Sequence, residues 1–330
     1  MASSGGGGSK RVVICGGGVI GAATAFYLAK LGLSATVTAT AAAAAPAGGG
    51  APGARLGAPL PAWLDGRGVL ASSALGSTAS TAQVHPARLT AALMAAAERQ
   101  AGAALLLGTV VGVRRDDGSG AVRGVRVRRW GQEGEEGEEE ELAADAVVLA
   151  MGPWTGAARA WLPGAPATAG QKYHSVVLRP AAPVGGTCVF TSFRTADGRS
   201  VEPELYPRPD GTVYVCGEPQ ALPMPPEGPA AVTVERARCE ALQAVAGALA
   251  SGLAGAPVEA AQACYLPLCD DGLPAIGPLP GVPGAFVATG HGCWGILNAP
   301  ATGRAVAEMV AGAALTLDVS AFDPARLCGR

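Results

Sequence analysis

Two glycine-rich turns hold the residues whose types and spacing point most directly to chemistry. Gly16, Gly18 and Gly21, within Gly16-Gly17-Gly18-Val19-Ile20-Gly21, have the G-x-G-x-x-G spacing. The run follows an apolar stretch, Arg11–Cys15, and opens a helical pattern that starts at Val19 and reaches Leu31. In that context Gly16 permits the tight turn, Gly18 lets a pyrophosphate approach the backbone, and Gly21 allows close helix–strand packing. The helix start adds unpaired N–H groups and partial positive charge. A dinucleotide ligand is implied. The acid that would grip a ribose hydroxyl, expected about 20 residues further on, is missing: the stretch reads ATVTATAAAAAP, with Ala39 near that place. The second turn lies in Ala288–Gly303, ATGHGCWGILNAPATG. There a strand runs through glycines into a helix with Pro300 near its first position, a second helix N-terminus aimed at something electron-rich.

Composition narrows the classes. The chain has 330 residues and a net charge of -2, so a basic nucleic-acid stripe is not expected. Gly and Pro are abundant, at 49 and 26 residues, but the charged fraction of 15% is too low for a charged disordered chain. No apolar run reaches the roughly 18 residues of a membrane span, and the start, MASSGGGGSKR, has no secretory apolar core. A cytoplasmic, reducing setting is expected. The eight cysteines form no CxxC pair, and His85, His174 and His291 are scattered, so neither a metal site nor a disulfide framework is expected.

The elements that must position these turns follow the hydrophobic pattern. Strands are expected at Arg11–Cys15 and Ala35–Thr40, with the helix between them closed by Gly32. Residues 41–62 read as an Ala/Gly/Pro-rich linker, and ordered signal resumes at Asp65. A helix from His85 to Gln100, strands at Ala104–Arg114 and Ala121–Trp130, and one strand over Ala143–Ala150 are expected next. The acidic run GQEGEEGEEEE between the last two reads as a solvated hairpin tip. Strand-like pieces from Gln171 to Glu218 suggest a mixed or antiparallel sheet. A helix over Val232–Leu253, strands at Val258–Leu266 and Ala285–Thr289, and a helix from about Pro300 to Ala311 complete the chain. The fold class is α/β: a discontinuous Rossmann-like domain (10–62, 84–165 and 262–330) interleaved with a mixed or antiparallel-sheet substrate domain (166–261).

With both turns in hand, the chain resembles the D-amino-acid oxidase superfamily of FAD-dependent oxidoreductases, the group of glycine oxidase and sarcosine oxidase. The strings TAQVHP, GPWT, GQKYHSVVLRP, YPRPDGTVYVCGE, QACYLP and GHGCWGILNAPATG resemble a fungal and plant branch of it linked to endosomal retrieval. The resemblance implies FAD. Gly16, Gly18, Val19 and Gly21 would hold its pyrophosphate, the Val111 backbone would read the adenine, and Gly152 and Trp154 would make a second strand-end contact. Gly290, His291, Gly295, Ile296 and Leu297 would lie against the isoalloxazine. Cys264 falls on or near the position where sarcosine oxidase joins a cysteine to the flavin, so a covalent link there is an open expectation. The basic residues that hold a substrate carboxylate in relatives would fall at Leu266 and Leu297, both apolar, leaving Lys172, Arg194 or Arg208 as the available cations. Relatives would also carry about two helices between Gly50 and Pro61 that are missing here.

The reaction implied is oxidation of a C–N bond of an amine or an imino or amino acid, with dioxygen or another acceptor taking the electrons. Lys172, His174 and Tyr206 are the candidates for the substrate or oxygen side. Two alternatives stay open: a non-catalytic scaffold of this fold acting in endosomal trafficking, and, from the first motif alone, an NAD(P)-dependent dehydrogenase.

Overall fold

The computed structural model describes residues 10–40, 59–130 and 136–328. The first half contains β1 (Val12–Cys15), α1 (Val19–Lys30), β2 (Ala35–Ala39), α2 (Pro86–Ala101), β3 (Ala104–Arg115), β4 (Val122–Trp130), β5 (Glu136–Ala143) and β6 (Ala146–Leu149). A 3-10 helix, Gly152–Ala160, leads on to β7 (Ala169–Leu178), β8 (Val189–Phe190), β9 (Phe193–Arg194), β10 (Ser200–Val201), β11 (Glu204–Pro207) and β12 (Val213–Gln220). Then come α3 (Arg236–Leu249), β13 (Val258–Leu268), β14 (Ala275–Pro278), β15 (Ala285–Thr289) and α4 (Gly295–Ala311). No helix among the described residues is long and apolar enough to cross a membrane.

The larger sheet has eight strands in the order β14-β15-β6-β1-β2-β3-β4-β5. Its centre, β15-β6-β1-β2-β3, is parallel, as a sheet with both faces covered should be. Strand alternation divides β1 between two cores. Val12 and Ile14 join Leu28 of α1 and Val306 and Val310 of α4, whereas Val13 and Cys15 join Leu149 of β6 and Val125 and Val127 of β4. The β3–β5 meander therefore returns across the face that the helices leave open. The two helices approach closely: a Cβ on Gly303 would come within 2.6 Å of the Ala23 backbone. The smaller sheet, in the order β13-β7-β12-β11-β8, is antiparallel throughout. One face packs Val176, Leu178, Val213 and Val215 on Leu242 and Ala246 of α3.

Several expected boundaries move, each for a local reason. Part of the acidic run is a strand: Glu136–Ala143 pairs with β4, where Arg128 meets Glu139 at 2.9 Å and Arg129 meets Glu140 at 2.7 Å. Residues 131–135 of that run, and 41–58 of the linker, lie outside the described residues. The single strand expected over Ala143–Ala150 is split. Asp145 sits at the break and takes the Arg11 backbone N–H (2.9 Å) and guanidinium (2.7 Å), which sets β6 beside β1. The stretch from Asp65 to Val84 contains turns but neither helix nor strand. Helix α3 starts at Arg236, later than Val232, because the Glu235 backbone N–H is held by His174 (3.0 Å) and its carboxylate by Gln220 (3.0 Å). Helix α4 starts earlier, at Gly295, and carries Pro300 inside it. The proline is exposed and costs one early backbone bond. Strand β13 stays paired with β7 as far as Leu268, so residues 262–268 extend the smaller sheet.

Candidate functional site

The first turn is closed where glycine must be glycine and open where a ligand would pass. Gly16 has φ +118°, and a Cβ there would meet the Ala150 carbonyl oxygen at 2.1 Å. A Cβ on Gly21 would meet the Gly16 oxygen at 2.0 Å. Gly18, the residue that caps α1, has nothing within 4 Å of its Cβ direction. No side chain caps this helix and its first turn holds no acid, so the N–H groups from Val19 onward face an open cradle. This is the shape a pyrophosphate needs. Ala39 lies at the end of β2 close to Gly17, with no carboxylate to offer a ribose.

The second turn opens from β15, at the same end of the sheet. Thr289 donates to the Gly152 carbonyl (2.8 Å), tying this strand end to the 3-10 helix. Gly290 and Gly292 take φ +79° and +53°. Helix α4 then begins with neither a side-chain cap nor an acid in its first turn. Gly295, Ile296 and Leu297 supply its first N–H groups, and Leu297 is 70% exposed. Two uncapped helix N-termini thus open at the carboxyl ends of parallel strands, where open α/β sheets bind ligands.

The smaller sheet supplies a polar and aromatic face. Cys264 stands opposite Tyr173, Ser175 opposite Cys216, Tyr214 opposite Tyr206, and Glu204 opposite Cys216 and Phe190. All of these lie on the face away from α3. Tyr206 donates to Glu204 Oε2 (2.6 Å). Tyr173 relates this face to the second turn: burial raises its hydroxyl, and Cys293 and Glu204 both raise it further.

Not every expected site residue reaches this place. Lys172 and His174 do not. They are in phase with Val176 and Leu178, and so lie on the α3 face of β7. Lys172 is buried and paired with Glu235 (3.2 Å), and the His174 ring accepts the Glu235 backbone N–H (3.0 Å). Burial, with the Lys172 charge adding to it, lowers the His174 pKa. Tyr206 is on the opposite face, so the three do not form one site. The His291 ring turns into α4, with Nε2 at 3.0 Å from Thr302 Oγ1; burial lowers its pKa to about 4 and leaves it neutral. What it offers a ligand is backbone. The Trp154 indole is engaged by the chain beyond β12, with Nε1 donating to Pro225 O (2.9 Å), while Gly152 beside it is open. Val111 falls at a bulge in β3 with no partner in the β4 register, leaving backbone outside the ladder. Cys264 faces the site, but burial pushes its thiol up to about 11, away from the thiolate that a covalent bond requires. Leu266 is buried opposite Gln171, an uncharged partner. Of the three available cations, Arg208 reaches this face, 5.0 Å over the Tyr214 ring.

Sequence reasoning passed over Glu204, Tyr173 and Tyr214. The signal was in the alternation. Residues in phase with Val176 and Leu178 belong to the core, and those out of phase to the site.

A model of the DAO family, FAD dependent oxidoreductase, matches residues 55–309. The chain belongs to that family. It is 33% identical over 297 residues to TDA3 of Saccharomyces cerevisiae, whose name proposes an oxidoreductase; the match covers 81% of this chain and 55% of that one. A similarly named Schizosaccharomyces pombe protein is 30% identical over 264 residues, covering 76% and 65%. The chain thus spans little more than half of the yeast relative. Among solved structures, glycine oxidase from Geobacillus kaustophilus superposes with a TM-score of 0.69 at 23% identity, covering 97% of this chain and 99% of that one. That likeness is one of fold. Membership implies FAD, and the open Gly18 cradle and the two uncapped helices fit it.

Proposed function

We propose that the protein oxidises a C–N bond of an amine or an imino or amino acid. The observation that carries this reading is the placement of two helix N-termini without side-chain caps at the carboxyl ends of β1 and β15, with the Tyr173–Tyr206–Cys264 face of the smaller sheet turned toward the second turn. Gly16, Gly18, Val19 and Gly21 would hold the FAD pyrophosphate, Val111 and Gly152 would offer backbone contacts, and Gly290–Leu297 would lie along the ring system. FAD bound there would supply a two-electron acceptor for a C–H beside nitrogen, one that dioxygen or another acceptor can regenerate. The α4 N-terminus stabilises negative charge placed against it. Tyr206 and Glu204 form a hydrogen-bonded pair able to hold a proton at the substrate side. Cys264 is read as a wall residue rather than a covalent anchor. Anaerobic mixing of the flavin-loaded protein with a panel of primary, N-methyl and cyclic amines and of imino and amino acids tests this. Loss of the oxidised flavin spectrum with at least one of them is expected; an unchanged spectrum with all of them refutes the reading. A second reading, a flavin-binding scaffold without turnover, is favoured by the apolar Leu266 and Leu297 and by Ala39, and that refuting result would support it.

A further inference from the structure

Among the described residues Glu204 forms no ion pair. It is half-buried on β11, facing the site, and its neighbours are Tyr206, whose hydroxyl donates at 2.6 Å, Cys216, whose thiol donates at 3.7 Å, and Phe190 across the strand. Glu202 adds a second negative charge nearby. Among the described residues no lysine or arginine forms an ion pair with Glu204, although most other acids in the smaller sheet have one, such as Glu218 with Arg238 and Glu259 with Arg179. Arg208 shares the face but is stacked over Tyr214. The side chains that β7 and β13 add to this face include Gln171, Tyr173, Ser175, Val177, Ala260, Gln262, Cys264 and Leu266, none of them cationic.

A half-buried carboxyl in such surroundings resists ionisation. Burial raises its pKa above the ordinary range, and the two hydrogen bonds pull it back down. A ligand that brings a positive charge relieves this cost, and one that brings a carboxylate adds to it. The nitrogen next to the oxidised carbon must keep a free lone pair, so an ammonium held by a carboxylate cannot be the reacting one. A substrate that satisfies both conditions has two amino groups.

We propose that Glu204 is the specificity-determining residue of this site and selects di- or polyamines, held by a second, non-reacting ammonium, over amino acids with a free carboxylate. The proposal rests on the amine-oxidising reading above, but its test does not depend on turnover. Putrescine, n-butylamine and γ-aminobutyrate share a chain length and differ in the charge at the far end. Calorimetric titration of each into the flavin-loaded, full-length protein should place putrescine about tenfold or more ahead of n-butylamine, with γ-aminobutyrate last. Glu204→Gln should bring the three within about threefold of one another, and Glu204→Asp should restore the order. Equal binding of all three, or an order that survives Glu204→Gln, overturns the proposal. So does tightest binding of γ-aminobutyrate, and its loss in Arg208→Gln would then make Arg208 a carboxylate anchor. Putrescine preference without oxidation of putrescine would support the Glu204 cation site while counting against the oxidase reading. Oxidation of amines with no preference among the three would do the reverse.

Discussion

At the scale of single residues, the two outer glycines of the first turn and the one between them should behave differently when substituted. Gly18→Ala adds a methyl where no protein atom lies within 4 Å and the backbone is ordinary, so the fold should tolerate it. The cradle should not. Flavin content after purification is expected to fall severalfold or more, with thermal stability of the flavin-free protein nearly unchanged. Gly16→Ala should do the opposite first: its Cβ meets a carbonyl at 2.1 Å with φ +118°, and the variant should unfold at clearly lower temperature. Equal effects of the two would remove the distinction between cradle and hinge. Ala39→Glu places an acceptor at the end of β2. A charged hydrogen bond to a ribose hydroxyl is worth about 1.5 kcal/mol or more, so flavin should bind roughly tenfold more tightly, measured by fluorescence on titrating FAD into stripped protein. His291 predicts a pH effect. Its folded pKa is depressed by burial from 6.5 to about 4, so the unfolded chain binds the extra proton between those values. Stability is therefore complete above pH 6.5 and falls, by on the order of 3 kcal/mol, as pH drops toward 4. In His291→Gln, urea midpoints measured across that window should vary less with pH.

At the scale of elements, the strand β7 decides which polar residues serve the site. Lys172 and His174 flank Tyr173 in the sequence. Period-two alternation assigns them to the other side, under α3, where Glu235 uses both. Lys172→Met should then cost stability, roughly 1 kcal/mol given that Glu235 is 40% exposed, and leave the spectrum of bound flavin unaltered; a large change in that spectrum would return Lys172 to the site. Much of the architecture was legible beforehand because β1, α1 and β2 carry local signals: an apolar run, a glycine cluster and a glycine at the helix end. The start of α4 was not, because Pro300 reads as a first-turn residue unless the glycines before it are seen to be helical. Nor was β5, since a run of glutamates becomes a strand only when a neighbour offers arginines at matching positions, as β4 does. Alternation separates the two faces within each strand, but which strands share the face bearing Glu204 and Tyr206 depends on pairings between segments far apart in sequence.

At the scale of the molecule, both glycine turns leave the carboxyl ends of parallel strands of the eight-stranded sheet, and the reading proposed above places FAD across the two. The ends of β1 and β15 lead to two helix starts that no side chain among the described residues caps. Family membership makes FAD the ligand to expect. With no acid at Ala39 and the Cys264 thiol pushed up by burial, the reading proposed above expects FAD without a covalent link. The most direct measurement is the visible absorbance of the purified full-length protein before and after acid precipitation, with the released nucleotide identified by mass. A yellow protein whose flavin passes entirely into the supernatant as FAD is expected. A colourless protein that takes up no FAD on incubation, or one that releases a nicotinamide dinucleotide instead, would contradict it.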